Sequence, residues 1–208
     1  DPVAREASEI RERCLTTNME QADIDAIMRL ERDDMLLYSR ATAWVRYADG
    51  DKIEYDWVNR KDFAHSVCRV WPEVKWVARR AWLTREEGVN RFGDAFKDVQ
   101  LKKRDPEAAV PQKSDQAPVW EVWSKTDSKV IWVAEDYTDI LDESAPLFDL
   151  HGFFPCPKPA YGTLDPESLV PIPEFVQYKD QVEEINEYTA RIAALSDALK
   201  MKGFYQAG

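Results

Sequence analysis

The residues best equipped for chemistry in this chain are two histidines, His65 and His151, and three cysteines, Cys14, Cys68 and Cys156. His65-x-x-Cys68 and His151-x4-Cys156 could bring four nitrogen and sulfur ligands from two loops, the donor set of a tetrahedral zinc site. The plainer reading is two buried cysteines and two histidines at solvent or hairpin positions, because pair spacings of this kind arise by chance. A nucleophile driven by histidine needs Ser or Cys in a setting such as Gly-x-Ser-x-Gly, and neither histidine has one. The seven glycines are scattered and build no Walker or dinucleotide-binding loop. Acidic neighbours (Asp33-Asp34, Glu86-Glu87, Glu183-Glu184) would point about 100° apart on a helix, so they read as solvated or capping groups rather than a carboxylate dyad. No catalytic residue and no cofactor is expected. The chemical alternative to a non-enzymatic protein is a zinc-binding or other α+β domain using His65, Cys68, His151 and Cys156.

Composition narrows the rest. The chain has 208 residues, 44% of them hydrophobic, enough for one large or two small domains with a real core. Its formal net charge of −11 argues against tight sequence-independent binding to nucleic acid, which needs Lys and Arg to displace counterions. The same charge suits DNA that slides past without sticking. An odd, scattered cysteine set fits folding in a reducing compartment. There is no signal-peptide pattern and no apolar run near 18 residues, so no membrane-spanning helix is expected. The chain opens on Asp1-Pro2 directly into a helical pattern and is expected to be a piece of a longer polypeptide.

The predicted fold class is α+β: helical segments, small β-hairpins or a sheet, and one long C-terminal amphipathic helix. Ala7, Ile10 and Cys14 place a helix over Val3–Leu15, with a break and capping box at Thr17-Asn18-Met19-Glu20. A second helix carries Ile24, Ile27, Met28, Met35 and Tyr38 on one face to about Arg40, and the two are expected to form an antiparallel pair packed on something else, since neither buries its face alone. Asp49-Gly50 between Ala43–Tyr47 and Lys52–Trp57 predicts a hairpin. Asp62–His65 and Val74–Trp82 read as further strands. Thr84-Arg85-Glu86-Glu87 is a second capping box that starts a helix to about Phe92, with an extension through Phe96. Residues 101–117 are polar and aperiodic, and a mobile loop is expected. Val119–Trp123 and Lys129–Ala134 form a second predicted hairpin around Lys125, Asp127 and Ser128. All eight tryptophans lie between Trp44 and Trp132, in this β-rich half; they serve a core between sheet and helices or an aromatic protein interface. From Tyr137 to Pro173 the chain is proline-rich and should run extended over a surface.

The last element is the clearest. From Pro171 to Gly203 the sequence predicts one rod, roughly 45 Å long at about 1.5 Å per residue. Tyr178, Ile185, Ile192 and Leu199 recur every seven positions, and Val182, Tyr188 and Leu195 widen them into an apolar packing stripe. Glu174, Asp180, Glu183, Glu184 and Glu187 crowd its first half, while Arg191, Lys200 and Lys202 follow, as the helix dipole favours. A rod longer than its domain is wide must line something large or pack along copies of itself.

Particular strings then resemble a known family. Arg32-Asp33-Asp34-Met35-Leu36, Trp44-Val45-Arg46-Tyr47 and Asp62-Phe63 are followed by Trp71-Pro72-Glu73-Val74-Lys75-Trp76-Val77-Ala78-Arg79-Arg80. Next come Leu83-Thr84-Arg85-Glu86-Glu87, Arg91-Phe92-Gly93, Trp120-Glu121-Val122-Trp123 and Lys129-Val130-Ile131-Trp132. Gly152-Phe153-Phe154-Pro155-Cys156-Pro157, Pro171-Ile172-Pro173 and Tyr178-Lys179-Asp180-Gln181-Val182-Glu183-Glu184-Ile185-Asn186 complete the series. In this order, over nearly the whole chain, they resemble portal proteins of tailed bacteriophages, the head-to-tail connectors.

That resemblance implies a structural, non-enzymatic subunit of a ring, usually of twelve copies, at one capsid vertex of a phage or prophage virion. Such a ring assembles in the host cytoplasm and is the channel for genome DNA packaging and ejection. Its implied partners are copies of itself, terminase, tail adaptor proteins, capsid and scaffold proteins, and double-stranded DNA passing without sequence recognition, with no membrane. On that pattern residues 1–100 correspond to a wing-like α+β region, 101–117 to a flexible loop and 118–136 to a clip-like hairpin. Residues 137–170 would be an extended proline-rich connection and 171–203 the stem-like helix. Lys125, Asp127 and Ser128 would then form the docking tip; Tyr178, Ile185, Ile192 and Leu199 the contact between rods. Glu183, Glu184 and Glu187 would face the channel or simply solvent.

Overall fold

Pro2 in the first turn and the Asp1 side chain, which accepts from the Val3 N–H at 3.1 Å, start helix α1, Pro2–Gln21. The break expected at Thr17–Glu20 does not occur. A capping box requires Thr17 to leave helical geometry, and with no Gly or Pro nearby the helical ladder wins; the neighbouring Thr16 hydroxyl donates to the Glu12 carbonyl at 2.9 Å. The chain turns instead at Ala22-Asp23, where Asp23 takes a left-handed φ of 48°, and α2 follows over Ile24–Tyr38. A computed structural model describes this chain over residues 1–48, 52–104, 115–147 and 149–199. The architecture is α+β.

α1 has no buried residue, so the expected antiparallel pair is not what covers α2. The inner face of α2 rests instead on β1 (Arg40–Ala41), β3 (Lys52–Trp57) and the root of the last helix. β2 (Ala43–Ala48) pairs with β3 in the register Trp44↔Asp56 and Tyr47↔Ile53, as the hairpin reading requires; the Asp49-Gly50 turn itself lies outside the described residues. The main sheet is antiparallel and five-stranded, in the order β4 (Phe63–His65), β5 (Trp76–Leu83), β6 (Ala117–Ser124), β7 (Lys129–Ala134), β8 (Ile140–Ser144). The hairpin expected within 118–136 forms as β6 and β7, but these strands are flanked by β5 and β8 and do not stand apart. The sheet therefore joins residues on both sides of the 101–117 segment, of which 105–114 lie outside the described residues. β8 was not anticipated. It lies beyond a register shift at Trp132/Val133, which hides its partner pattern from the sequence.

Two cores sit on one face of this sheet. Val77, Trp123 and Val130 occupy paired positions and meet Trp44, Val58, Phe63, Phe154 and Leu169. The proline-rich segment thus supplies core residues, where an excursion over the surface was expected. It is tied down by the Val45 N–H to the Pro155 carbonyl at 2.9 Å, the Leu169 N–H to the Cys68 carbonyl at 3.1 Å, and the pairing of β9 (Ala160–Tyr161) with β1. The second core sets Val119, Ala134 and Leu141 against Phe96 and Val99, carried by α3 (Arg85–Phe92) and the 3-10 turn after it. The capping box at Thr84 and Glu87 is present in both directions, and the Arg85 guanidinium gathers the carbonyls of Phe96, Lys97 and Val99 at 2.5, 2.9 and 2.7 Å.

Gly88 decides how closely α3 approaches this core. A Cβ there would lie 1.9 Å from the Phe96 ring, which is fully buried. Gly88→Ala should therefore lose about 1–3 kcal/mol to overpacking despite the better helix propensity of Ala. Urea unfolding measures it; a stabilised variant would mean that α3 lifts freely off Phe96.

The last helix, α4, spans Glu174–Ala198, starting just after Pro173. At about 1.5 Å per residue it is roughly 37 Å long. Gly203 and the basic Lys200 and Lys202 lie outside the described residues. Its root is fixed by Ser39, a fully buried residue with φ 56° that ends α2. The Ser39 hydroxyl accepts from the Glu174 N–H at 3.1 Å, and its carbonyl accepts from the Gly162 N–H at 2.9 Å.

Candidate functional site

α4 buries no residue anywhere along its length. Tyr178, Val182, Ile185, Tyr188, Ile192, Leu195 and Leu199 all remain exposed, Ile185 at 62% and Ile192 at 66%. At about 100° per residue these side chains fall within one sector of the helix, whereas Glu183 and Glu187 fall roughly opposite Ile185. The acidic side is partly neutralised within the helix. Lys179 reaches Glu183 at 3.5 Å, Arg191 pairs with Glu187, and the Tyr188 hydroxyl donates to Glu184 at 2.9 Å. An apolar stripe of this length exceeds the scattered single exposures normal for a protein surface.

The β6–β7 turn exposes Lys125, Asp127 and Ser128. It is rigid for a physical reason: the Ser124 hydroxyl donates to Asp127 at 2.5 Å and accepts from the Asp127 N–H at 3.3 Å, while Ser128 adopts φ 54°. The Lys125 N–H donates to the Lys75 carbonyl at 2.8 Å, pinning the tip to the segment before β5. This end of the sheet presents a fixed polar turn, separate from the stripe on α4.

The four residues with metal-ligand chemistry have different surroundings. His65 is half-buried in β4, its ring beside Phe63 and Trp71 and its Nδ1 2.9 Å from the Ser66 carbonyl oxygen; burial pushes its pKa down. Cys156 is buried in the first core, and burial raises its thiol to about 12, well away from a thiolate. Cys68 is half-buried with its pKa also raised by burial, and His151 is exposed. Among the described residues no three His, Cys, Asp or Glu side chains gather as a metal-binding group.

Two polar groupings were not legible beforehand. On the inner face of α2, Asp34 is buried and accepts from the Trp57 indole N–H at 2.9 Å, and one turn earlier the Glu31 Oε1 is buried without a hydrogen-bond partner. Desolvation, reinforced by the charge of Asp34, raises the Glu31 pKa above its ordinary 4.5. A carboxyl whose folded pKa is raised contributes stability that is full below its unfolded value and is lost as pH rises through the folded value. Glu31→Gln is therefore expected to raise the melting temperature at pH 7 by about 1–3 °C, with the gain vanishing near pH 4. An equal gain at both pH values would place Glu31 in solvent.

The second grouping is a ladder of arginine, tryptophan and carboxylate across the sheet. Arg79 lies over the buried Trp44 ring at 5.1 Å and binds Asp56 at 2.6 Å and Glu121 at 2.9 Å. Arg80 lies within 5.1 and 5.3 Å of the Trp82 and Trp120 rings and binds Asp62 at 2.8 Å and Glu135 at 3.2 Å. The sequence signal was two adjacent arginines inside an otherwise apolar strand. Their carboxylates come from other strands and loops, so only the register identifies them. Set against known proteins, the chain matches no family model and no curated protein.

Proposed function

We propose that this chain is the body and stem of a portal subunit, a structural part of the ring through which a tailed phage or prophage packages and ejects its double-stranded DNA. The observation that carries the reading is α4: a helix of 25 residues whose root is held by Ser39 and whose apolar stripe is left exposed among the described residues. A closed ring of identical subunits would cover every stripe through one repeated heterologous contact, which an isolated subunit cannot do. With the stripe turned to neighbours, Glu183 and Glu187 on the opposite side are free to face the passage, where acidic groups keep phosphates from condensing. The fixed turn at Lys125, Asp127 and Ser128 lies apart from this contact and is available to a docking protein such as terminase or a tail adaptor.

Sedimentation velocity of the full-length polypeptide tests the reading. It should give one species of about twelve subunits. A monomer or dimer at all concentrations would refute it.

A further inference from the structure

Two helices of this chain carry an uncovered seam of the same period. On α4, Tyr178, Val182, Ile185, Thr189, Ile192 and Ser196 follow one another at alternating intervals of four and three residues, and all are exposed. On α1, Val3, Ala7, Ile10, Cys14 and Thr17 keep the same alternation and are exposed as well, Val3 at 70% and Ile10 at 56%. An average interval of 3.5 residues is the spacing at which two helices lock side chains into one another's gaps. α1 is roughly 30 Å long and α4 about 37 Å, so the seams are of similar extent. α1 buries no residue, and its helix therefore gains little from packing within the chain. On α2 the same spacing through Leu30 and Leu37 is interrupted by Asp33.

Symmetry selects how the seams meet. A seam set against the same seam of another copy makes an isologous contact, which is complete at two subunits. A ring needs two different faces on each subunit, one for each neighbour. Side-chain size agrees. The α1 seam sets Val3 and Ile10 among the smaller Ala7, Cys14 and Thr17, which leaves gaps for Tyr178, Ile185 and Ile192. The Thr189 hydroxyl already donates to the Ile185 carbonyl at 2.7 Å, so it brings no unpaired donor into such a seam.

We infer that the α4 stripe is covered by α1 of the next copy of this chain, packed along it as a two-helix coiled coil and repeated around the ring. This contact presupposes the ring proposed above and names the surface that each neighbour brings to it.

Disulfide crosslinking of the full-length polypeptide tests it. Cys14 lies on the α1 seam and is exposed, whereas Cys68 is half-buried and Cys156 is buried. A single cysteine is placed in turn at Val182, Ile185, Thr189, Ile192 and Ser196, rings are checked by negative stain, and the protein is oxidised with copper phenanthroline. At the position level with Cys14, a denaturing gel should show a ladder of covalent dimers, trimers and larger species, and Cys14→Ser should abolish it. Ile10→Asp should remove the rings and leave the melting temperature of the isolated subunit within about 1 °C. With rings present, the inference is overturned by crosslinks that stop at dimers and persist in Cys14→Ser, or by a link within one chain. It is equally overturned by the lack of a ladder at every position, or by rings that survive Ile10→Asp. Absence of rings in the unsubstituted protein would remove the ring itself, and this contact with it.

Discussion

Replacing Ile185 by Asp is expected to abolish subunit assembly while leaving the melting temperature of the isolated subunit within about 1 °C. Ile185 is 62% exposed on a helix that buries nothing, so in the monomer the new carboxylate stays in water and costs little. In a contact between rods the same carboxylate would lose its water without gaining a partner, at several kcal/mol per interface, and a closed ring repeats that loss at every subunit. Ile192→Asp, at 66% exposure one heptad on, should behave the same way. Ala194 lies on the opposite side of α4 from Ile185, and Ala194→Asp should assemble normally. Light scattering reads the assembly and thermal melting reads the subunit. Normal assembly of the Ile185 variant would remove the stripe from the interface. A melting temperature lowered by more than about 4 °C would mean that the chain covers its own stripe.

The second large effect is expected at Arg79. Its side chain is only 14% exposed, and Glu121, which it binds at 2.9 Å, is 9% exposed. Arg79→Met would leave Glu121 buried opposite an apolar side chain, although the Trp123 indole N–H still donates to Glu121 at 2.9 Å. Removing one partner of a buried pair in this way costs about 3–5 kcal/mol, equivalent to a drop of roughly 6–20 °C in a domain of this size. Arg46 pairs with Glu54 and Asp56 from a side chain 48% exposed, so Arg46→Met should cost less than about 1 kcal/mol. The double replacement Arg79→Met with Glu121→Leu should recover most of the loss, because no charge is then stranded. Chemical denaturation of the variants would contradict the account if Arg79→Met and Arg46→Met proved equally mild.

What the sequence made legible follows from how local each signal is. The capping box at Thr84 and Glu87, the β2–β3 and β6–β7 pairings, and the start of α4 after Pro173 were all readable, because each rests on residues within a few positions of one another. The box at Thr17–Glu20 had the same spacing but no helix breaker to support it, and α1 runs through it. β8 was hidden because Ile140–Ser144 reaches β7 across a register shift. The proline-rich segment gave no periodicity, yet Phe154, Cys156 and Leu169 fill the core beside Trp44. For the site, the stripe on α4 was evident in the heptad spacing, but whether this chain covers it is a tertiary fact that no local pattern encodes. The partners of Arg79 and Arg80 are likewise set by sheet register. Asp33-Asp34 reads as a solvated pair, yet α2 turns Asp34 inward to the Trp57 indole, a contact that only the packing of α2 on β3 creates.

The central claim is that α4 belongs to the wall of a ring, and negative-stain electron microscopy of the full-length polypeptide tests it most directly. The account predicts closed rings of uniform subunit number with a central hole wide enough for duplex DNA. Fields of single compact particles, or assemblies without a central opening, would contradict it.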